Sequence, residues 1–278
     1  MEIAFAPQRI LCLTETLSWD EARERAWDKK TSVFATGLGK LFTRPKPDEI
    51  RITDQEKRWE PFWHVVCSSR FVFDRRQHYR LPMSQPEVRS VVIDDHEYLP
   101  GGEPRGLTLV GLEKCRVEDT ASRLVDAVTG EPAEYWHFME FDAQPIESVA
   151  DWRPADSTVV PPQIRASTVT RDALVNLIKP LDADTIHQDL ITIERVDLYF
   201  RPVYAFAFHW TPKERSTIAE FDGLTGKTKL ENVHIHEPVG KMLSADVLLD
   251  VGIDAIDLLV PGGGINIKLA RPTDLAGQ

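Results

Sequence analysis

From Val196 to Trp210 the chain alternates strictly. Val196, Leu198, Phe200, Pro202, Tyr204, Phe206, Phe208 and Trp210 share one parity, while Arg195, Asp197, Tyr199, Arg201, Ala205 and His209 share the other. Side chains of an extended strand point to opposite faces in turn, so this segment reads as one long strand with a single apolar face. Such a strand requires paired neighbours and a layer over its apolar side. An earlier stretch carries the same pattern: Trp59, Pro61, Trp63, Val65, Cys67, Phe71 and Phe73 share a parity. Aligning Pro61 with Pro202 matches Trp59 with Phe200 and Trp63 with Tyr204. Two copies of one building block speak to architecture, not to chemistry.

The flanking segments repeat as well. Ser18 and Glu21 form a capping box at the start of a helix carrying Trp19, Ala22 and Ala26, and the stripe continues to Val33, Phe34 and Gly37. Thr170 is expected to cap a second helix through Leu174, Leu177 and Ile178 that ends at Pro180. After each long strand comes a return strand: Val88–Ile93 in the first copy, Ser216–Phe221 in the second, the latter followed by the glycine turn Asp222–Gly226. A related turn, Asp126–Gly130, follows a possible strand around Leu107–Val117. The polar, proline-rich stretch Asp151–Gln163 reads as a linker. Met242–Val260 reads as a closing helix and Ile265–Leu269 as a short final strand. The expected fold is therefore α+β, with two related helix-plus-antiparallel-sheet modules spanning 1–150 and 164–278 and a C-terminal helix and short strand.

Composition narrows the class of function. At 278 residues, with 42% hydrophobic and 28% charged, the chain can bury a substantial core. No apolar run reaches the roughly 20 residues of a membrane helix, and no secretory signal is visible. Cys12, Cys67 and Cys115 lie far apart without metal-binding spacing, which suits a reducing, cytoplasmic setting. The net charge of −11 repels nucleic acid, although basic groups slightly outnumber acidic ones in residues 1–90. There Lys29, Lys30, Lys40, Arg44, Lys46, Arg51, Lys57 and Arg58, with Trp27 and Trp59, offer a basic-aromatic surface interrupted by Asp28, Asp48, Glu49 and Asp54. A nucleic-acid partner is thus disfavoured.

The turn residues Asp222, Thr225 and Gly226, and likewise Asp126, Thr129 and Gly130, together with the helix start Ser18–Ala22, resemble the PepSY-like family of small α+β modules. In the first copy Asp94–Glu97 stands where the glycine turn is expected. The resemblance implies a module that inhibits, senses or binds partners instead of catalysing. With Glu60–His64, E-P-F-W-H, the whole chain also resembles a group of bacterial proteins that carry this pattern, and that likeness implies no activity.

Several constellations could carry chemistry. His234 and His236 on a strand project from one face and could reach one divalent metal ion, while Glu237 points away. Asp94, Asp95, His96 and Glu97 concentrate acid and base groups, or form a polar turn. Asp246, Asp250, Asp254 and Asp257 make one helical stripe, suited to a solvated face or a basic partner. Gly262–Gly264 lack the spacing of a phosphate loop and read as a helix stop. Cys67 lies in the apolar register and reads as a core thiol. His64, Tyr199, Arg201 and His209 occupy the non-core parity of the two strands and could line a ligand-binding groove. With no nucleophile elbow and no complete catalytic set, the expectation is a non-catalytic ligand- or protein-binding, regulatory protein without a required cofactor. A metal-dependent hydrolase using His234 and His236 is the alternative. The long edge strands would also permit sheet-mediated association.

Overall fold

The computed structural model describes residues 2–34, 45–147 and 152–230, and the backbone of 266–269. In chain order these form β1 (Glu2–Phe5), β2 (Gln8–Leu13), α1 (Trp19–Lys29), β3 (Ile50–Pro82), β4 (Val91–Ile93), β5 (His96–Tyr98) and β6 (Gly106–Asp126). There follow β7 (Ala143–Pro145), β8 (Thr158–Val159), α2 (Ala166–Leu174), β9 (Thr185–Trp210), β10 (Arg215–Asp222), β11 (Thr228–Lys229) and β12 (Asn266–Leu269). Ten strands make one mixed sheet, and β4 and β5 form a separate hairpin.

This corrects the expected fold class. Among the described residues there are two α-helices, of 11 and 9 residues, on a sheet whose longest strands run 33 and 26 residues. The molecule is predominantly β, not a pair of helix-plus-antiparallel-sheet modules. β3 and β9 lie side by side, antiparallel, from Ile50↔Trp210 to Asp74↔Thr185. The sheet is mixed because β1 and β2 run parallel to β9, and β8 parallel to β3. The apolar strand faces are the reason: neither copy can bury its stripe alone, and pairing the two makes one continuous apolar surface.

The two copies are related about the centre of that pairing, where Trp59, Glu60 and Pro61 face Pro202, Arg201 and Phe200. β6 returns along β3 with Phe62↔Asp126, and β10 returns along β9 with Val203↔Asp222. The first return strand is therefore β6, and Val91–Ile93 instead pairs with His96–Tyr98 in the small hairpin. The two glycine turns match in their backbone bonds. Asp126 Oδ1 accepts from the N–H groups of Val128 and Thr129 (both 2.9 Å), and Asp222 Oδ1 from those of Leu224 (3.0 Å) and Thr225 (2.8 Å). Ala127 N–H donates to Pro61 O (3.1 Å), as Gly223 N–H does to Pro202 O (2.8 Å). Gly130 and Gly226 both adopt positive φ, the conformation that favours glycine. The prolines also have equivalent places. Pro61 lies where β8 has ended and β6 begins, and Pro202 between β2 and β10, so the missing donor falls at a change of partner strand.

The helices are exchanged between the copies. α1 covers Tyr204, Phe206, Phe208 and Trp210 of β9, whereas α2 covers Trp63, Val65 and Cys67 of β3. The aromatic pair matched in sequence anchors each helix entry. Trp63 Nε1–H donates to Ile164 O (2.8 Å) just before α2, and Tyr204 O–H donates to Leu17 O (2.7 Å) just before α1. Ser18 caps α1 with the expected reciprocal bonds to Glu21. α2 starts earlier than expected: Arg165 occupies its N-cap position without a side-chain bond, and Thr170 lies buried inside the helix. α1 also stops at Lys29, with Ser32–Phe34 forming a short 3-10 turn. No described helix is long and apolar enough to cross a membrane. The expected helix at Met242–Val260, with its aspartate stripe and Gly262–Gly264, lies outside the described residues.

Candidate functional site

α1 and α2 cover one face of the sheet; the groove residues predicted from parity belong to the other. At its centre sits an ion network. Arg201 donates to Asp222 Oδ2 (2.8 Å) and to Glu60, while Arg58 donates to Glu60 Oε1 (2.8 Å) and to Glu220. The Arg201 guanidinium also lies 5.0 Å from the Tyr135 ring centre. Burial alone would lower the pKa of Arg201, but Glu60, Tyr135 and Asp222 outweigh it and hold the side chain charged. With its donors directed at two carboxylates, Arg201 serves the fold.

Next to this network the second face is closed by apolar packing. Phe62, Leu124, Phe138 and Tyr199 cluster with Leu11 and Leu13, and residues Trp136–Glu140 form a 3-10 helix over them. His64 lies at the rim of that cluster, 7% exposed. Its Nε2 is 3.2 Å from Ser122 Oγ, the Trp136 ring meets it edge-on at 5.9 Å, and its buried Nδ1 has no hydrogen-bond partner among the described residues. Asp197 faces His64 across the strands but is held by Arg9, through bonds of 3.0 and 2.6 Å. Arg195 Nε approaches the same carboxylate at 3.7 Å, beyond a hydrogen bond, and its side chain is 40% exposed. Burial, and then the Arg195 charge, push His64 down to about 4, with Asp197 opposing and Arg9 adding to the fall. The imidazole is neutral at pH 7. Burial first, then the Asp197 charge, raises the Tyr199 phenol above its ordinary value.

The structure thus brings His64 and Tyr199 together, with ring centres 6.5 Å apart, and places Arg201 one step away in the ion network. It does not bring His209 to them. That residue stands ten positions along β9 from Tyr199, roughly 33 Å at strand rise, with Nδ1 3.1 Å from Ser216 Oγ and Nε2 3.6 Å from Glu214. Arg9, Ser122 and Trp136 were not legible as partners of His64. Parity placed Arg195 and Asp197 on the same face as Tyr199, but not which residues of β2 and β6 lie beside them.

A catalytic base needs its second nitrogen oriented by an acceptor; among the described residues Nδ1 of His64 has none and the nearby carboxylate serves Arg9, so they give a Ser122–His64 hydrolytic triad no support. Asp94 and Asp95 take positive φ in the β4–β5 turn, and His96 Nδ1 is 2.8 Å from Asp94 O, so this cluster is a tight exposed turn. The Cys67 thiol is buried and pushed up to about 12 by that burial, and then by the Glu194 charge, as expected of a core thiol. His234, His236 and Glu237 lie outside the described residues; within them, no three His, Cys, Asp or Glu side chains are grouped to hold a metal ion. Of the basic N-terminal residues, Lys29 bonds to Thr228 and Lys30 stacks on Trp27, while Lys40 and Arg44 lie outside the described residues. A cleft of about 920 Å³ opens between α1 and the start of β3, bounded by Asp20, Arg23, Glu24, Trp27, Arg51 and Asp54. Its charges are mixed in sign, and Asp54 is turned back onto the Gln55 N–H (2.8 Å).

No family model, no curated protein and no solved structure matches this chain.

Proposed function

We propose that the chain is a non-catalytic binding protein that recognises an anionic group on the second face of its sheet, beside His64. One observation carries this reading: two arginines, Arg9 and Arg195, converge on the single buried carboxylate of Asp197, leaving an excess of positive charge on a chain whose net charge is −11. Ser122, Val66 and Arg195 occupy one transverse row of the sheet, and His64, Asp197 and Arg9 lie in the adjoining part. The exposed Arg195 guanidinium, the Ser122 hydroxyl and the half-exposed Trp136 indole therefore border one surface, where a carboxylate or phosphate with a planar body finds donors and a wall. The PepSY-like resemblance, which implies binding or sensing, supports the same class. Cys12, Cys67 and Cys115 are free thiols, which suits the cytoplasm we propose as its setting.

The test is calorimetric titration of the whole chain with inorganic phosphate and with benzoate. Saturable binding of at least one is expected, weakened ~10-fold or more by Arg195→Ala with an unchanged unfolding midpoint, and falling as salt rises. Absence of binding by both anions, or an Arg195→Ala variant that binds as well as the parent, refutes the assignment.

A further inference from the structure

Beyond Asp74 the β3–β6 hairpin leaves the sheet. β9 pairing ends at Asp74↔Thr185, while β3 and β6 continue as a two-stranded ribbon to Pro82↔Gly106. Eleven large apolar side chains stand exposed among the described residues, and six of them, from Tyr79 to Leu112, lie on this arm and its tip. A bare two-stranded ribbon is marginal in water, and so concentrated an apolar surface marks a contact.

The two edges of the arm differ. On the β3 edge, side chains occupy the outward donors: Arg76 N–H bonds to Asp184 Oδ2 and His78 N–H to Gln77 Oε1. Such plugs block strand addition. On the β6 edge the outward groups belong to even-numbered residues. Gly106 exchanges both backbone bonds with Gly101, and at the far end Leu124 O accepts from Ala133 and Asp126 N–H donates to Glu131. Between these ends, Thr108, Val110, Leu112, Lys114, Arg116, Glu118 and Thr120 show no outer backbone partner among the described residues.

We infer that this edge pairs with the same edge of a second copy, antiparallel, about a two-fold axis at Gly111. Charge permits that register, which sets no like charges opposite each other. An axis anywhere from Glu113 to Arg116 sets Glu113, Lys114 or Arg116 against a like charge. With the axis at Gly111, Val110 faces Leu112 of the second copy, Thr108 faces Lys114, and Leu109 faces Glu113. Val110 and Leu112 are 63% and 55% exposed in the single chain, and each gains an apolar cross-strand partner. Tyr79 supports the axis from one face: a Cβ at Gly111 would meet its ring at 2.8 Å, so the aromatic side chain packs directly on the glycine backbone. The contact is isologous and closes on itself, giving a dimer and not a fibre.

Sedimentation velocity of the full chain over a concentration series tests this. The parent is expected to reach the two-chain mass, and Leu112→Lys to weaken association by ~30-fold or more. Val92→Lys, at the exposed tip, is the control and should dimerise as the parent does. At a concentration low enough to keep every chain single, all three should share one unfolding midpoint, since the substituted side chains are exposed. A parent that keeps the one-chain mass at every concentration, or a dimer that survives both Leu112→Lys and Val110→Lys, overturns the inference.

Discussion

The β3–β6 half and the β9–β10 half follow one backbone plan and differ in what fills it. Both contain a long strand, a return strand, an Asp-x-x-Thr-Gly turn, and an aromatic bond to the entry of the covering helix. Yet β6 pairs with β3 over 21 positions and β10 with β9 over only eight, so one half carries a projecting arm while the other ends at the turn Thr211–Lys213. The second face diverges further. Glu60 in one half takes the place of Arg201 in the other, and His64 that of Ala205. The repeat thus fixes the helix-covered core and the turns, whose backbone bonds have counterparts. Distinct surfaces arise where the counterparts differ: at the central ion pair, at His64, and along the arm.

The largest expected effect lies at the centre of the relation. Arg201→Met leaves Asp222 and part of Glu60 without their guanidinium, and breaking one side of a buried pair should cost about 3–5 kcal/mol. Adding Glu60→Gln and Asp222→Asn should recover a good part of that loss, because no unpaired charge then remains. Urea denaturation of the single and triple variants measures both. A single variant within about 1 kcal/mol of the parent would show that the network is solvated and that the two halves meet there without mutual dependence.

A smaller effect distinguishes His64 from Ala205. The folded imidazole, at about 4, lies below the 6.5 of an exposed histidine, so protons bind the unfolded chain preferentially. The contribution of neutral His64 is complete above the unfolded value and is lost as pH falls from about 6.5 towards 4, amounting to about 2–3 kcal/mol. Arg195, Asp197, Arg9 and Tyr199 face the ring. Unfolding free energies at pH 7 and pH 5 should differ less in His64→Gln than in the parent. Equal differences would remove the buried neutral imidazole from the account.

Much of the core was legible because it rests on period and local bonds. Alternation placed both long strands, and the Ser18–Glu21 box is complete within four residues. The matched Trp63 and Tyr204 turned out to hold equivalent helix entries. What failed was non-local. Parity says which face a residue takes, not which strand lies beside it, so local pattern points to Val88–Ile93 as the return strand although β6 begins at Gly106. The fold class failed for the same reason: two self-contained modules and two copies sharing one sheet with exchanged helices have the same alternation. At the candidate site, His64 and Tyr199 were visible from parity. Arg9, Ser122 and Trp136 come from β2, β6 and a 3-10 turn, and no local pattern links those segments.

The smallest expected effect concerns the two helices, which have equivalent places but unequal starts. α1 has a capping box: Ser18 Oγ accepts from Glu21 N–H (3.3 Å), and Glu21 Oε2 accepts from Ser18 N–H (3.0 Å). The Ser18 N–H bond first, then the Ser18 hydroxyl, lowers the Glu21 pKa. α2 begins at Arg165 with no side-chain cap, and its first turn is held instead by burial of Ala166, Val169 and Thr170. Ser18→Ala should therefore cost about 1 kcal/mol, while Arg165→Ala should stay within about 0.5 kcal/mol of the parent. Thermal unfolding of the two variants side by side decides the matter. Equal losses would mean that both helix starts depend on the turns they dock against and not on their caps, which would extend the equivalence of the halves to their energetics.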